Sequence, residues 1–149
     1  MRLSCFLSVL LCLAVGCSTS DSTRRTEPRQ ALGEVQVRDA ASGELTVAPG
    51  QCRSGEPLLF LGADFIAERL TTRLILSPEG EASIRIFDPA TPLERGLLFG
   101  REQCRELEIS LERTGWQIND IHDLRVALRF DCSSDAGAAS GSLSATGCH

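Results

Sequence analysis

Few residues of this chain have side chains that could carry catalysis. Its 149 residues include seven cysteines and two histidines, but no lysine and no tyrosine. His122 lies in segment 119–123 (NDIHD), where neighbouring carboxylates could orient it as a general base. A nucleophilic hydrolase also needs a suitably placed serine, and Ser140 in segment 137–141 (GAASG) lies one residue out of register for the G-x-S-x-G motif. We therefore predict no catalytic residue and no enzyme, and keep a small hydrolase that uses His122 as an alternative.

Two groups of residues could bind a metal ion, and neither has the spacing of a known site. Segment 119–123 offers oxygen and nitrogen ligands, but it matches neither an EF-hand loop nor a zinc-binding helix. We interpret it as a polar turn. The cysteines include no C-x-x-C pair, and exported cysteines meet an oxidant before they meet zinc. The sequence therefore predicts no metal and no cofactor.

The charge balance argues against a nucleic-acid binder. The chain has 15 basic and 20 acidic residues, a net charge of −5, and its arginines are scattered among carboxylates. Binding to phosphates needs a clustered basic surface. Twenty acids also make a chance pair of carboxylates uninformative about glycoside hydrolysis. We interpret the charged run at 101–113 as a solvated strand face with cross-strand ion pairs. The alternative is a charged binding face for a partner.

Residues 1–16 have the features of an export signal. Arg2 supplies a positive charge, and the run at 3–15 is apolar or small. That run has 13 residues, whereas a helix that crosses about 30 Å of hydrocarbon needs about 20. Segment 13–17 (LAVGC) resembles the lipobox of bacterial lipoproteins, in which small residues precede an invariant cysteine. The family prefers leucine three residues before that cysteine, and here the position holds Ala14.

The resemblance implies that cleavage precedes Cys17, that its sulfur receives a diacylglyceryl group, and that the new amino terminus is acylated. Segment 14–16 also satisfies the small-x-small rule of ordinary signal peptidase, which would release a soluble protein. Cysteine parity favours lipidation: seven cysteines less Cys5 and Cys12 of the signal leave five, and lipidated Cys17 leaves four to pair. Ser18 is not the aspartate that the family associates with inner-membrane retention, which favours the outer membrane, facing the periplasm or the cell surface.

Residues 17–30 are predicted to be the lipidated amino terminus and a flexible tether, because beyond Pro28 segment 18–30 has no apolar side chain that could bury a face. A flexible chain of about twelve residues has a root-mean-square reach of roughly 20 Å. Two or three acyl chains would hold the protein on its membrane, since each buried CH₂ contributes about 0.8 kcal/mol.

Residues 31–149 are predicted to form one mainly β domain, a single antiparallel β-sandwich or small barrel of about eight short strands. Apolar and polar residues alternate with period two, most clearly at 107–111 and 124–130. Segment 63–70 is predicted to be the one short helix. Further strands are predicted at 35–37, 45–47, 57–61, 70–76, 82–87, 116–118 and 142–148, with turns or loops at 39–43, 77–81, 114–115 and 135–141.

Four cysteines remain for two disulfides: Cys52, Cys104, Cys132 and Cys148. Cys132 continues the inward face of the strand at 124–130, and a segment of hairpin length separates it from Cys148. We therefore predict that Cys132 pairs with Cys148, which leaves Cys52 for Cys104. Four cysteines allow three connectivities, and the sequence leaves the other two open.

These features predict a lipid-anchored protein of the cell envelope that acts without catalysis, as an interaction or assembly module. Its partners would be the membrane, through the lipid, and another envelope protein. An alternative is a periplasmic inhibitor of a lysozyme or protease, because a small braced β scaffold presents rigid loops well.

Overall fold

The structure is a computed structural model that describes residues 30–39 and 43–149. The predicted signal peptide, Cys17 and nearly all of the tether lie outside these residues. The described residues form ten β-strands: β1 (Ala31–Asp39), β2 (Gly43–Val47), β3 (Gln51–Ser54), β4 (Leu61–Ile66), β5 (Thr71–Leu76), β6 (Ala82–Phe87), β7 (Leu97–Gly100), β8 (Cys104–Ile118), β9 (Ile121–Ser134) and β10 (Gly137–Cys148). Short 3-10 turns cover Glu56–Leu58, Leu93–Arg95 and Arg101–Gln103.

In this part of the chain the strands form two five-stranded antiparallel sheets. Sheet A has the order β2-β1-β10-β9-β8, and sheet B has the order β3-β4-β5-β6-β7. The predicted mainly β, sandwich-like fold is confirmed, with ten strands rather than about eight. The hairpins predicted around 39–43 and 77–81 are confirmed as β1–β2 and β5–β6.

The core lies between the two sheets and follows from the period-two pattern. From Leu124 to Cys132 every second residue of β9 is buried, while the residues between them are exposed or half-buried. Sheet B contributes fully buried side chains such as Phe65 and Phe99 from β4 and β7. Burying one such side chain stabilises the fold by about 1.5–3 kcal/mol, so the alternating strands supply the main driving force for packing.

The two sheets cross at a large angle. At one end of the core, Cys52 of β3 is bonded to Cys148, which lies level with Leu124 near the start of β9. At the other end, the side chain of Leu97 of β7 would lie 3.2 Å from a Cβ added to Gly137, at the β9–β10 turn. The strands of sheet B therefore lie side by side from one end of the sheet A strands to the other and run across them, as in orthogonal sandwiches.

Three local predictions were wrong. The segment predicted as a helix at 63–70 is the end of β4, in which Ala63 and Phe65 face the core, followed by a loop from 67 to 70. Asp64 faces the opposite side of the strand but is buried as well, which hid the alternation. The buried strand predicted at 57–61 is a 3-10 turn with exposed leucines. The loop predicted at 135–141 is shorter, because β10 already begins at Gly137.

The predicted disulfide pairing was also wrong, although all four cysteines are bonded. The structure joins Cys52 to Cys148 and Cys104 to Cys132. Strands β9 and β10 are antiparallel about a turn at 135–136, so Cys132 pairs level with Ala139. Cys148 lies level with Leu124, eight residues further along β9, which is about 27 Å at about 3.4 Å per residue. A hairpin brings together residues equally distant from its turn, and these two cysteines are not.

Candidate functional site

The β8–β9 hairpin ends in a tight turn that exposes apolar side chains. Asn119 and Asp120 have φ angles of 50° and 64°, as a two-residue type I′ turn requires. The polar turn predicted at 119–123 is confirmed at Asn119 and Asp120, but 121–123 already belong to β9. Residues 116–118 are the end of β8 rather than a separate strand. Before the turn β8 is irregular between Arg113 and Gln117. Trp116, within this irregular stretch, and Ile118, just before the turn, are both exposed.

The segment between β3 and β4 forms a second apolar projection. Its 3-10 turn, Glu56–Leu58, has Pro57 in its first turn, where proline's fixed φ fits the backbone, and Leu59 follows at φ 62°. The ring of Phe60 then folds back over Gly62, where a Cβ would stand 1.9 Å from the carbonyl oxygen of Leu74 and 3.2 Å from the ring. This return of Phe60 onto the sheet leaves Leu59 pointing into solvent.

An ion cluster on the outer face of sheet B holds Phe60 in position. The buried carboxylate of Asp64 accepts two hydrogen bonds from Arg73, of 2.7 and 2.9 Å, and one of 3.0 Å from Arg53. The guanidinium of Arg73 lies 4.7 Å from the ring centre of Phe60 and 5.3 Å from that of Phe87. Such stacking stabilises both cation and rings, so the projecting segment starts from a rigid base.

Glu56 fastens this segment to the hairpin. Its Oε2 accepts a 2.8 Å hydrogen bond from the backbone N–H of His122, and its Oε1 lies 2.9 Å from an Arg113 guanidinium nitrogen. The Nδ1 atom of His122 lies 3.2 Å from both carboxylate oxygens. Burial raises the pKa of Glu56, but these hydrogen bonds and the charges of His122 and Arg113 outweigh burial and hold the pKa below its ordinary value.

The two projections border an open cleft of about 380 Å³. Its lining residues are Glu56, Leu59, Phe60, Leu61, Arg113, Asp120 and His122. A histidine oriented by a carboxylate resembles two members of a catalytic triad. Within the described residues, however, the hydrogen bonds of the His122 ring go to Glu56 alone. Ser140 lies level with Asp131, nine residues along β9 from His122, so the structure does not bring them together.

Exposed large apolar side chains concentrate at this site. Of seven among the described residues, five lie on the two projections, and we call these five the apolar corner: Leu58, Leu59, Leu61, Trp116 and Ile118. Leu59 and Leu61 line the cleft, whereas Ile118, which pairs with Ile121, lies on the opposite face of the hairpin from His122. Leu59 is 95% exposed and Trp116 72%. The sequence missed this surface because the run at 57–61 has the composition of a buried strand. The signal that could have revealed it is Pro57, which disfavours a central strand.

The charged run is a solvated strand face, as predicted. Arg125 lies 3.4 Å from Glu112 across the β8–β9 ladder, Arg129 lies 3.6 Å from Glu106, and Arg105 pairs with Asp131. Exposed pairs of this kind contribute about 0–1 kcal/mol each. Across the described residues, no three histidine, cysteine or acidic side chains converge in a way that could hold a metal ion.

No family model, curated protein or solved structure matches this chain. None of the helices in residues 30–39 and 43–149 is long and apolar enough to cross a bilayer.

Proposed function

We propose that this protein is a lipid-anchored component of the cell envelope that acts without catalysis, as an interaction or assembly module. The lipobox-like segment that ends at Cys17 supports the anchor. The observation that carries the interaction role is the apolar corner, since exposed apolar patches on an otherwise charged surface mark interaction sites.

The rigidity of the corner supports binding rather than turnover. Cys52–Cys148 holds β3 on sheet A, and Glu56 joins the segment after β3 to the β8–β9 hairpin. A binding surface that is ordered before it meets its partner loses less conformational entropy on association. The histidine of this site is correspondingly part of a brace, with its Nδ1 engaged by Glu56.

The anchor is tested by Cys17→Ala, with Ser20→Ala as the matched control. We expect Cys17→Ala to move the protein from the membrane fraction to the soluble fraction, while Ser20→Ala stays in the membrane. A Cys17→Ala chain that still sediments with membranes after a high-salt wash contradicts the anchor.

The interaction role is tested with a photo-crosslinking amino acid introduced at position 59 or at position 98. Leu98 is exposed on β7 but does not belong to the apolar corner. In native envelopes we expect adducts from position 59 and not from position 98. Equal labelling at the two positions, or none at either, contradicts a role for the corner.

The Glu56–His122 contact favours a second candidate, a small hydrolase that uses His122. Replacing His122 with alanine separates the two functions, since a hydrolase would lose its cellular phenotype and a binding module would keep it. The fold of the variant is checked by its urea midpoint.

A further inference from the structure

We propose that the apolar corner inserts into the surface of the same bilayer that holds the lipid on Cys17. This inference rests on the proposed lipid anchor and names the envelope component that the corner contacts. It is carried by where the chain enters the domain, by the length of chain before that point, and by the types of side chain exposed at the corner.

The chain enters the domain from the side on which the β8–β9 hairpin turns. Ala31, the first residue of β1, pairs with Ala145 of β10, and Ala145 pairs with Val126 of β9. Because β1 and β9 are both antiparallel to β10, β1 begins at the end of sheet A nearer the β8–β9 turn at Asn119. A lipid attached upstream therefore pulls the domain by the end that carries the apolar corner.

The distances allow lipid and corner to occupy one membrane surface. Three strand spacings separate β1 from β8, or about 14 Å. From the level of Val126 the hairpin extends about 20 Å further to its turn, at about 3.4 Å per residue. The thirteen peptide units from Cys17 to Gln30 span at most about 45 Å. The corner can therefore touch the bilayer while the lipid stays inserted.

The side chains of the corner suit the boundary between lipid and water. Tryptophan is enriched at that boundary, where its ring meets both phases, and leucine gains free energy by entering the acyl region. The charge of Glu56, at the base of the corner, is compensated by Arg113 at 2.9 Å. Even a weak affinity of the corner for the bilayer is enough to keep it inserted, because the anchor holds it at high local concentration beside the membrane.

The backbone at Leu59 gives an independent reason to assign a role to its side chain. Leu59 adopts a left-handed conformation with φ 62°, which asparagine and glycine accept more readily than leucine. Its side chain is 95% exposed and gains almost nothing from packing. A leucine that contributes little to the folded domain, in a position unfavourable to it, points to a contact outside the domain.

Trp116 is the single tryptophan of the sequence, which also lacks tyrosine, so its fluorescence reports directly on the hairpin part of the corner. The experiment reconstitutes the full lipidated protein into phosphatidylcholine vesicles, with and without bromine atoms on the acyl chains. Bromine quenches tryptophan only at near contact. Flotation of the vesicles reports the anchor, and quenching of Trp116 reports insertion of the corner.

We expect the protein to float with the vesicles, its emission to shift to shorter wavelength, and brominated lipid to quench Trp116. If the protein floats but Trp116 is not quenched, the anchor stands and the insertion is overturned, which leaves a protein as the occupant of the corner. If the protein neither floats nor is quenched, both proposals fall.

Leu59→Asp and Leu98→Asp form a matched pair for the same measurement. Both leucines are exposed, so Leu98→Asp is expected to keep the urea midpoint of the wild type and Leu59→Asp to unfold at no lower urea concentration, since aspartate accepts the left-handed backbone at position 59. We expect Leu59→Asp to lose most of the quenching and Leu98→Asp to keep it, with flotation unchanged in both. Equal quenching in the two variants overturns the proposal.

Discussion

The carboxylate of Glu56 accepts a hydrogen bond of 2.8 Å from the backbone N–H of His122, 66 positions further along the chain. Through this contact the segment that follows β3 in sheet B is bound to the first residues of β9 in sheet A. Because Arg113 of β8 contacts the same carboxylate, three elements meet at one side chain. The shape of the apolar corner depends on this junction.

Replacing Glu56 with glutamine is expected to lower the free energy of unfolding by about 1–2 kcal/mol at neutral pH. Hydrogen bonds to charged groups contribute about 1.5–3 kcal/mol, and the partial exposure of Arg113 and His122 reduces that value. Urea unfolding measures the difference. Glu68→Gln, at an exposed position in the loop after β4, is the control and is expected to change nothing.

The destabilisation caused by Glu56→Gln is expected to depend on pH. The pKa of Glu56 is lowered in the folded protein, so its ionised form stabilises the fold at pH values above its ordinary pKa of 4.5. That contribution is lost as the pH falls through the lowered pKa. We expect the stability difference between wild type and Glu56→Gln to be constant down to about pH 4.5 and to shrink below it. A stability difference that grows on acidification contradicts a lowered pKa of Glu56 in the folded protein.

Asp64→Asn is expected to destabilise the domain by about 2–4 kcal/mol, because breaking a buried ion pair leaves an uncompensated charge. The side chain of Arg73 is only 15% exposed and would remain between two phenylalanine rings. Guanidinium denaturation measures the loss. Glu44→Gln removes the carboxylate from an exposed pair with Arg38, at 3.8 Å, and is expected to cost less than about 0.5 kcal/mol. Equal losses in the two variants would contradict the burial of Asp64.

The disulfides are expected to differ in their contributions. The Cys52–Cys148 bond closes 96 residues and the Cys104–Cys132 bond closes 28. On the chain-entropy model these loops correspond to about 4.7 and about 3.6 kcal/mol. Paired cysteine-to-alanine variants, compared by urea unfolding, measure both contributions. Peptide mapping without reduction is expected to recover Cys52 linked to Cys148, and a peptide that links Cys132 to Cys148 would refute the observed connectivity.

Leu59→Asn is expected to stabilise the domain by about 0.5–1 kcal/mol, since asparagine tolerates a left-handed backbone better than leucine does. Thermal unfolding of the two proteins measures the change. Leu58→Asn, at an exposed position with ordinary backbone angles, is the control and is expected to have no stabilising effect. A destabilised Leu59→Asn would mean that the leucine side chain contributes to the folded domain after all.

The sequence predicted the strands whose two faces differ and failed where both faces are buried. In β9, Leu124 and Val126 alternate with exposed Arg125 and Ala127, so periodicity alone identified the strand. In β4, Asp64 is buried on the outer side of the sheet by arginines from β3 and β5. No pattern within one segment records partners that come from two other strands.

The candidate site could not be predicted for a related reason. His122 was recognisable as a candidate general base, but Glu56 lies 66 positions away and meets it only through the packing of the two sheets. The exposure of Leu59 depends likewise on the return of Phe60 over Gly62. Local composition predicted burial at 57–61, but the contacts of the Phe60 ring with the sheet leave Leu59 exposed.

The position of β10 has a consequence for the order in which the two sheets can form. This strand is the last of the ten in sequence, yet it lies at the centre of sheet A, between β1 and β9. Until β10 is in place, β1 can pair only with β2, and β9 can pair only with β8. Such long-range pairing forms slowly. Sheet A is thus completed only when residues 137–148 are available, whereas sheet B contains no strand later in the chain than β7.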